Sequence, residues 1–554
     1  MRAEVVEDEV KTQDLEFLVS REHTDEVSYT YSGTEIRPLK QGLPKDIESL
    51  CPECGEVIPA RLFAEDGKVL IDKTCPEHGY FKDIYWSDVE LYLKAEKFTF
   101  GEGKGLLNPN VTDGDRCPFN CGICNQHVSH TVFGNIDLTN RCNMSCPICF
   151  ANSAAAGYVY EPSLDEVKRM LQAYRDMKPV PGRVIQFSGG EPTIHPQFFK
   201  IVAAAKEMGY THIQMASNGI KLADPEFCRK TAEAGMHTVY LQFDGTDDES
   251  HIKTRGRPGY YNIKLKALEN MRRYGIHVVF TPTIVRGFND HMVGPILEFA
   301  IQHAEYCSGI AYQPVAITGR IDEQERAKMR YTMPDLAIDI EKQTGIAKRE
   351  HWYPISCASP FSKLEMAIRG RETINITCHP HCSLATYLVL DATDPVNTVT
   401  PMPEFIDVPG LLDDMNELAF KIAKSRVKSK TLSMFRLYRI IRRHFNKAKA
   451  PKGLTLNKFL LALRGLADKD IGRRKNKDAS YAGTRWKFML VGAMHFMDAY
   501  NYDVDRVRRC VVHYSTPDGM FPFCTYNSGP FNRERVEKNN SIPLEQYKAE
   551  HGKT

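Results

Sequence analysis

The chain has 554 residues, 26% of them charged and 42% hydrophobic, and its 72 Lys plus Arg against 70 Asp plus Glu leave a net charge of +2. That balance supplies a large core and excludes a globally disordered or fibrous chain; it also argues against nucleic acid as a partner. There is no apolar run of about 18 residues or more, and the acidic start lacks a signal-peptide core, so a cytoplasmic protein without a transmembrane helix is expected.

In chain order, residues 1–48 read as a polar arm. Residues 49–100 form a small module in which Cys51-Pro-Glu-Cys54 and Cys75-Pro-Glu-His78 make two knuckles around a hairpin. Three sulfurs and His78 suit zinc, and a fourth sulfur from elsewhere would suit iron in a rubredoxin-like site; a bland structural staple is the competing reading. Residues 101–130 carry Cys117, Cys121 and Cys124, followed by His127.

Residues 131–325 alternate strands and helices at βα spacing. Strands are predicted at 132–138, 183–188, 212–217, 238–243, 277–283 and 309–315. Helices are predicted at 163–176, 196–207, 225–234, 259–274 and 293–304, the first opened by a Ser163/Glu166 capping box. The first strand runs into Cys142-Asn-Met-Ser-Cys146-Pro-Ile-Cys149, a C-x3-C-x2-C loop. Three such thiolates fit one face of a 4Fe-4S cubane with one iron left open, or a zinc loop with a distant fourth ligand. The second strand ends in Gly189-Gly190-Glu191-Pro192. Ser217, Asn218, Asp244, Thr283 and Gln313 fall at the C-terminal ends of later strands, where they either face a reaction chamber or cap loops.

Residues 326–415 bring Cys357, Cys378 and Cys382, with histidines between the last two, and residues 481–554 bring Cys510 and Cys524. Cys228 and Cys307 are expected as free cysteines in helices. The region 416–480 reads as basic amphipathic helices: residues 421–464 hold fourteen Lys or Arg and no Asp or Glu, with Pro451 and Gly453 dividing the stretch. Such helices suit an anionic membrane surface, a phosphate-bearing substrate or a solvated face packed on the core.

The cluster loop followed by Gly-Gly-Glu-Pro resembles the radical S-adenosylmethionine (radical SAM) superfamily, although Ile148 stands where an aromatic is usual. The resemblance implies an α/β fold: a partial (β/α)6 TIM-like barrel, with the small metal module before it and a C-terminal auxiliary Fe–S region containing helices. It implies a catalytic cluster on Cys142, Cys146 and Cys149, and SAM held by Gly189, Gly190, Glu191, Ser217, Asn218, Asp244 and Gln313. The wider layout, over residues 48–530, resembles archaeal tetraether lipid synthases, with pterin-linked radical methylases as neighbours. It implies three 4Fe-4S clusters, SAM and one mononuclear Fe or Zn. The eight cysteines 117, 121, 124, 357, 378, 382, 510 and 524 then suffice for two auxiliary clusters. The expected reaction is C–C coupling of terminal methyl carbons on isoprenoid chains of a glycerophospholipid. The alternatives are methylation of a pterin or lipid, and modification of a peptide or RNA. A low-potential donor such as ferredoxin or flavodoxin and a peripheral membrane contact are expected, with Arg439, Arg442 and Arg443 gripping phosphates.

Overall fold

The computed structural model describes residues 29–31, 34–153, 156–318, 325–425, 429–466, 485–529 and 532–552. Most of the arm predicted over 1–48 therefore lies outside the described residues. The small module is a four-stranded antiparallel sheet of Lys45–Leu50, Val57–Glu65, Lys68–Cys75 and Gly79–Trp86. Alternation such as Ile58-Ala60-Leu62 turns one face inward, where buried Trp86 and Tyr92 join the main core.

The central sheet is built on six parallel strands: Phe133–Thr139, Val184–Gly189, His212–Ser217, Thr238–Leu241, His277–Phe280 and Cys307–Pro314. Each lies within two or three residues of its predicted range. Pro282 interrupts the fifth strand, so Thr283–Ile284 pairs separately with the sixth. The C-terminal region adds a parallel strand at each edge: Trp486–Met494 beside the sixth strand and Val512–Thr516 beside the first. Ser383–Asp391 then runs antiparallel along Trp486–Met494.

Side chains alternate between two faces along these strands. Ile136, Phe187, Met215, Val239, Leu241, Val278 and Phe280 face the helices and form the core. Phe133 on the first strand and Tyr240 on the fourth have ring centroids 6.4 Å apart. Three strand spacings would separate them by about 14 Å in a flat sheet. The sheet is therefore curled and its inner face encloses a lumen, as a partial barrel requires.

Tyr174 fastens the first helix over this sheet. Its hydroxyl donates to the His513 carbonyl at 2.7 Å and accepts from the Asn135 N–H at 3.1 Å. Gly134 is required beneath it, because a Cβ there would lie 2.9 Å from the ring. The Ser163/Glu166 capping box is present. Cys228 is buried in a helix as expected. Cys307 is a correction: it opens the sixth strand, its β-rich neighbours outweighing the helical pattern that precedes it.

Candidate active site

The cluster loop leaves the C-terminal end of the first strand. It is turned by hydrogen bonds from Cys149 N to Cys146 O and from Asn152 N to Cys149 O, both 3.3 Å. All three cysteines are partly exposed. Burial, with Glu191 nearby, pushes the Cys142 thiol up to about 12. Gly189 and Gly190 press against the start of this loop. Gly190 N donates to Thr139 O at 2.7 Å, and a Cβ on Gly190 would lie 2.0 Å from Arg141 O. The glycine pair thus approaches the chain's own backbone and fixes the second strand to the cluster loop.

Glu191 is buried and acts as a clasp. Its Oε1 accepts from Thr193 N (3.2 Å), Thr193 Oγ1 (2.6 Å) and Ser217 Oγ (2.9 Å), and its Oε2 accepts from Asn218 N at 2.8 Å. Asn218 Nδ2 donates to Asn143 Oδ1 at 2.7 Å, reaching the cluster loop itself. Glu191, Ser217, Asn218 and the cysteine loop therefore form one connected unit. Gln313 lies half-buried at the end of the sixth strand, in register with Thr283.

Asp244 is fully buried, and Arg255 grips both of its oxygens at 2.5 and 2.9 Å. Thr283 N also donates to Asp244 Oδ1, and Arg255 reaches Thr283 Oγ1. Cys146 is among the groups that act on the Arg255 cation, which therefore sits beside the cluster loop. Arg255 was missed in the sequence reading, as was its helix, Asp248–Arg255. The signal was present: Asp247 caps the helix, acids fill its first turn, bases its last, and Gly256 ends it.

A second missed pair lies behind Asn218. Lys264 Nζ and Tyr260 Oη each donate to the Asn218 carbonyl at 2.6 Å. Burial pushes the Lys264 ammonium down to about 7. An unfolded chain keeps that lysine protonated to about 10.4. Between those values the unfolded chain binds the extra proton, so this group makes stability rise with pH from about 7 to about 10 and contributes its full penalty below 7. Lys264→Met should flatten the rise, measured as the denaturant midpoint of both proteins across pH 6–10. Lys73, also pushed down to about 7, is common to both and cancels in the difference.

On the inner face of the sheet, Asn135, Gln186 and Gln214 are exact register partners on the first three strands. Gln186 Nε2 donates to Asn135 Oδ1 and Gln214 Nε2 to Gln186 Oε1, both at 2.9 Å, and His212 Nε2 lies 2.8 Å from Gln214 Oε1. This amide ladder crosses the lumen wall below the cluster loop. Above it, Ser188 Oγ donates to Asp137, which the C-terminal helix Asn532–Asn539 neutralises with Arg533 at 2.7 Å.

In the small module, Cys51, Cys54, Cys75 and His78 converge. Cys51 Sγ lies 3.8 Å and Cys75 Sγ 3.5 Å from His78 Nδ1, and Cys54 Sγ is 3.9 Å from Cys75 Sγ. A tetrahedral ion with bonds of about 2.3 Å to sulfur and 2.0 Å to nitrogen has edges of about 3.8 and 3.5 Å. The donor set fits one mononuclear ion. Among the described residues it is the one set whose ligand atoms all lie within 4.8 Å. Among the described residues the other cysteine groups are spread wider. Cys75→Ser is expected to remove about one metal equivalent per chain, measured by elemental analysis, and to loosen this sheet to proteolysis.

The remaining cysteines form two groups with Cys524 near both. Cys117 and Cys524 each pack against the apolar cluster of Leu50, Met497 and Tyr502, Cys121 lies near Cys117 and Cys124, and Cys510 lies near both Cys524 and Cys382. Cys378 is raised by burial and by Cys382, Cys510 and Cys357 around it. Arg506 stands between the two groups: its Nε donates to Cys382 Sγ at 3.4 Å, and its charge reaches Cys524. The intervening histidines are otherwise engaged. His381 stacks on Tyr92 at 3.8 Å, and His379 accepts from His381 N. His127 meets His513 at 3.0 Å and the Cys510 carbonyl at 2.8 Å.

The predicted basic helices are Lys430–His444 and Leu456–Leu466. Arg439 and Arg442 are exposed, and Arg443 pairs with Asp414 at 2.7 Å. Among the described residues no helix is long and apolar enough to cross a membrane.

Residues 136–300 match the profile of the Radical SAM superfamily, and residues 43–87 match that of the HMPTM N-terminal zinc ribbon domain. The chain is 41% identical over 513 residues to a 7,8-dihydro-6-hydroxymethylpterin dimethyltransferase of Methanocaldococcus jannaschii, covering 92% of this chain and 98% of that one. This chain belongs to the radical SAM superfamily. A shorter likeness, 33% over 148 residues, reaches an Fe-coproporphyrin III synthase of Methanosarcina barkeri, covering 27% of this chain and 36% of that one. Among solved structures, Streptococcus suis SuiB bound to precursor peptide SuiA aligns at 13% identity and a TM-score of 0.32, over 54% of this chain and 69% of that one. The protein is thus a radical SAM enzyme with a Cys3His metal module. None of these similarities is specific to tetraether lipid synthases.

Proposed function

We propose that this radical SAM enzyme is a carbon methyltransferase acting on a pterin-type heterocycle. One observation carries the reading: a relative matched over 98% of its own length is described as a dimethyltransferase of that chemistry. The lumen wall supports it, because the amide ladder of Asn135, Gln186 and Gln214 offers donors and acceptors to the edge of a planar polar ring. Held by Cys142, Cys146 and Cys149, a 4Fe-4S cluster would supply the electron that divides SAM into methionine and a 5′-deoxyadenosyl radical, able to take hydrogen from an unactivated carbon. The clasp of Glu191, Ser217 and Asn218 orients the loop above the lumen, and Arg255 holds a fixed positive charge beside Cys146. We assign Cys117, Cys121, Cys124 and Cys524 to one auxiliary cluster, and Cys357, Cys378, Cys382 and Cys510 to another. Zinc is assigned to Cys51, Cys54, Cys75 and His78, whose single nitrogen matches a zinc ribbon. A ferredoxin- or flavodoxin-type donor would feed the catalytic cluster.

A second reading, coupling of two isoprenoid lipid chains, is favoured by the exposed apolar and cationic face of helix Lys430–His444. One experiment separates the two. The reconstituted enzyme is given SAM, a low-potential reductant and either hydroxymethyldihydropterin or an archaeol lipid. The pterin gaining the mass of CH2 groups supports methylation, and a lipid losing two hydrogens per new link supports coupling. A pterin left unchanged while 5′-deoxyadenosine forms overturns the first reading.

A further inference from the structure

The helix Lys430–His444 has two faces of opposite character. Ser433, Leu437, Ile440, Ile441 and His444 turn inward, onto the helix Val408–Lys424 and its apolar cluster. On the other side, at spacings of three and four residues, stand Leu432, Phe435, Arg436, Arg439, Arg442 and Arg443. Leu432 is 47% and Phe435 57% exposed, and neighbouring Met434 is 55% exposed. Among the described residues Arg436, Arg439 and Arg442 have no acidic partner, and Arg443 stays 66% exposed beside Asp414. Four cations on one stripe repel each other, and the apolar residues beside them gain nothing from water. Apart from the Arg443–Asp414 pair, neither group serves the packing of the fold.

We propose that this face docks on the surface of an anionic bilayer, with Leu432 and Phe435 entering the acyl boundary and the arginines lying among lipid phosphates. The apolar side chains sit in the first two turns, so the helix would enter by its N-terminal end. A second copy of the chain is the poorer occupant, since a twofold contact would set the same arginines against each other. RNA is poorer too, because Phe435 is the one strongly exposed ring among the described residues of this helix, with Tyr438 partly covered, and a stacking platform needs successive exposed rings. The docking is independent of whether the substrate is a soluble ring or a lipid.

The full-length protein, purified without oxygen, is sedimented with phosphatidylcholine vesicles containing or lacking phosphatidylglycerol. Binding is expected to the anionic vesicles only and to weaken with salt. Arg436→Gln/Arg439→Gln/Arg442→Gln should lower partitioning about 100-fold. Leu432→Ser/Phe435→Ser should lower it about 10-fold while keeping the salt dependence. All five side chains are exposed, so unchanged melting curves would confirm that both variants fold. Equal binding to neutral vesicles, or partitioning unaffected by the triple variant, would overturn the proposal. So would binding to RNA in preference to anionic vesicles, or a dimer that the double variant dissolves.

Discussion

Changing Cys142, Cys146 and Cys149 together to alanine is expected to cut 5′-deoxyadenosine formation by at least about 10³-fold, since no side chain here can replace the electron source. The loss should be confined to one centre. The metal at Cys51, Cys54, Cys75 and His78 belongs to a separate sheet, and the other eight clustered cysteines have their own neighbours. Iron should therefore fall by the content of one cluster while the ion of the Cys3His module is retained. Glu191→Ala makes the informative partner. It leaves the three thiols in place but releases Thr193, Ser217 and Asn218 from one carboxylate. Iron content should then stay near that of the parent while 5′-deoxyadenosine formation falls about 100-fold through lost positioning. Liquid chromatography of the nucleoside, with iron counted on the same sample, checks both. Undiminished nucleoside in the triple variant would remove the catalytic assignment, and full activity in Glu191→Ala would remove the clasp.

What the sequence made legible follows from how local each signal is. The six parallel strands could be found because each carries its own apolar pattern and is followed by a separate helix, the first with a clear cap in Ser163 and Glu166. The cluster loop and the Gly189-Gly190-Glu191 turn are short motifs read without knowledge of neighbours. The edge strands Trp486–Met494 and Val512–Thr516 were not anticipated, because their place in the sheet depends on partners about 180 and 380 residues away. The same distance hides Cys117 and Cys524 on one apolar cluster and Arg533 on Asp137. Glu191 was expected among the residues that hold SAM; that its oxygens are shared among Thr193, Ser217 and Asn218 is a fact that only the fold can supply. Arg255 was legible in principle, since its helix has clear caps, but eight residues without a strong apolar period give little warning.

Removing that arginine is expected to produce the largest loss of stability. Arg255→Met would leave the Asp244 carboxylate in a fully buried site with only Thr283 N and, at 3.4 Å, Thr254 Oγ1 to solvate it. Breaking a buried pair from one side typically costs about 3–5 kcal/mol, because the remaining charge is uncompensated. Arg255→Lys keeps a cation but not the two-pronged grip, and should recover part of that loss. Asp244→Asn/Arg255→Gln removes both charges while leaving Oδ1 to accept from Thr283 N, and should recover most of it. An apolar residue at 244 would not, since the Thr283 N–H would then be buried without a partner. The three variants, ranked by denaturant midpoint, test the order Met below Lys below the double exchange. A second readout ties the pair to the site. Arg255 interacts with Cys146, so loss of its charge alone in Arg255→Met should make the catalytic cluster harder to reduce, shifting its midpoint potential to more negative values in an EPR titration, while the charge-balanced double variant should shift it less. An unchanged potential in folded Arg255→Met would leave the pair a scaffold alone; a shifted potential would make Arg255 part of the electrostatic setting in which SAM is cleaved.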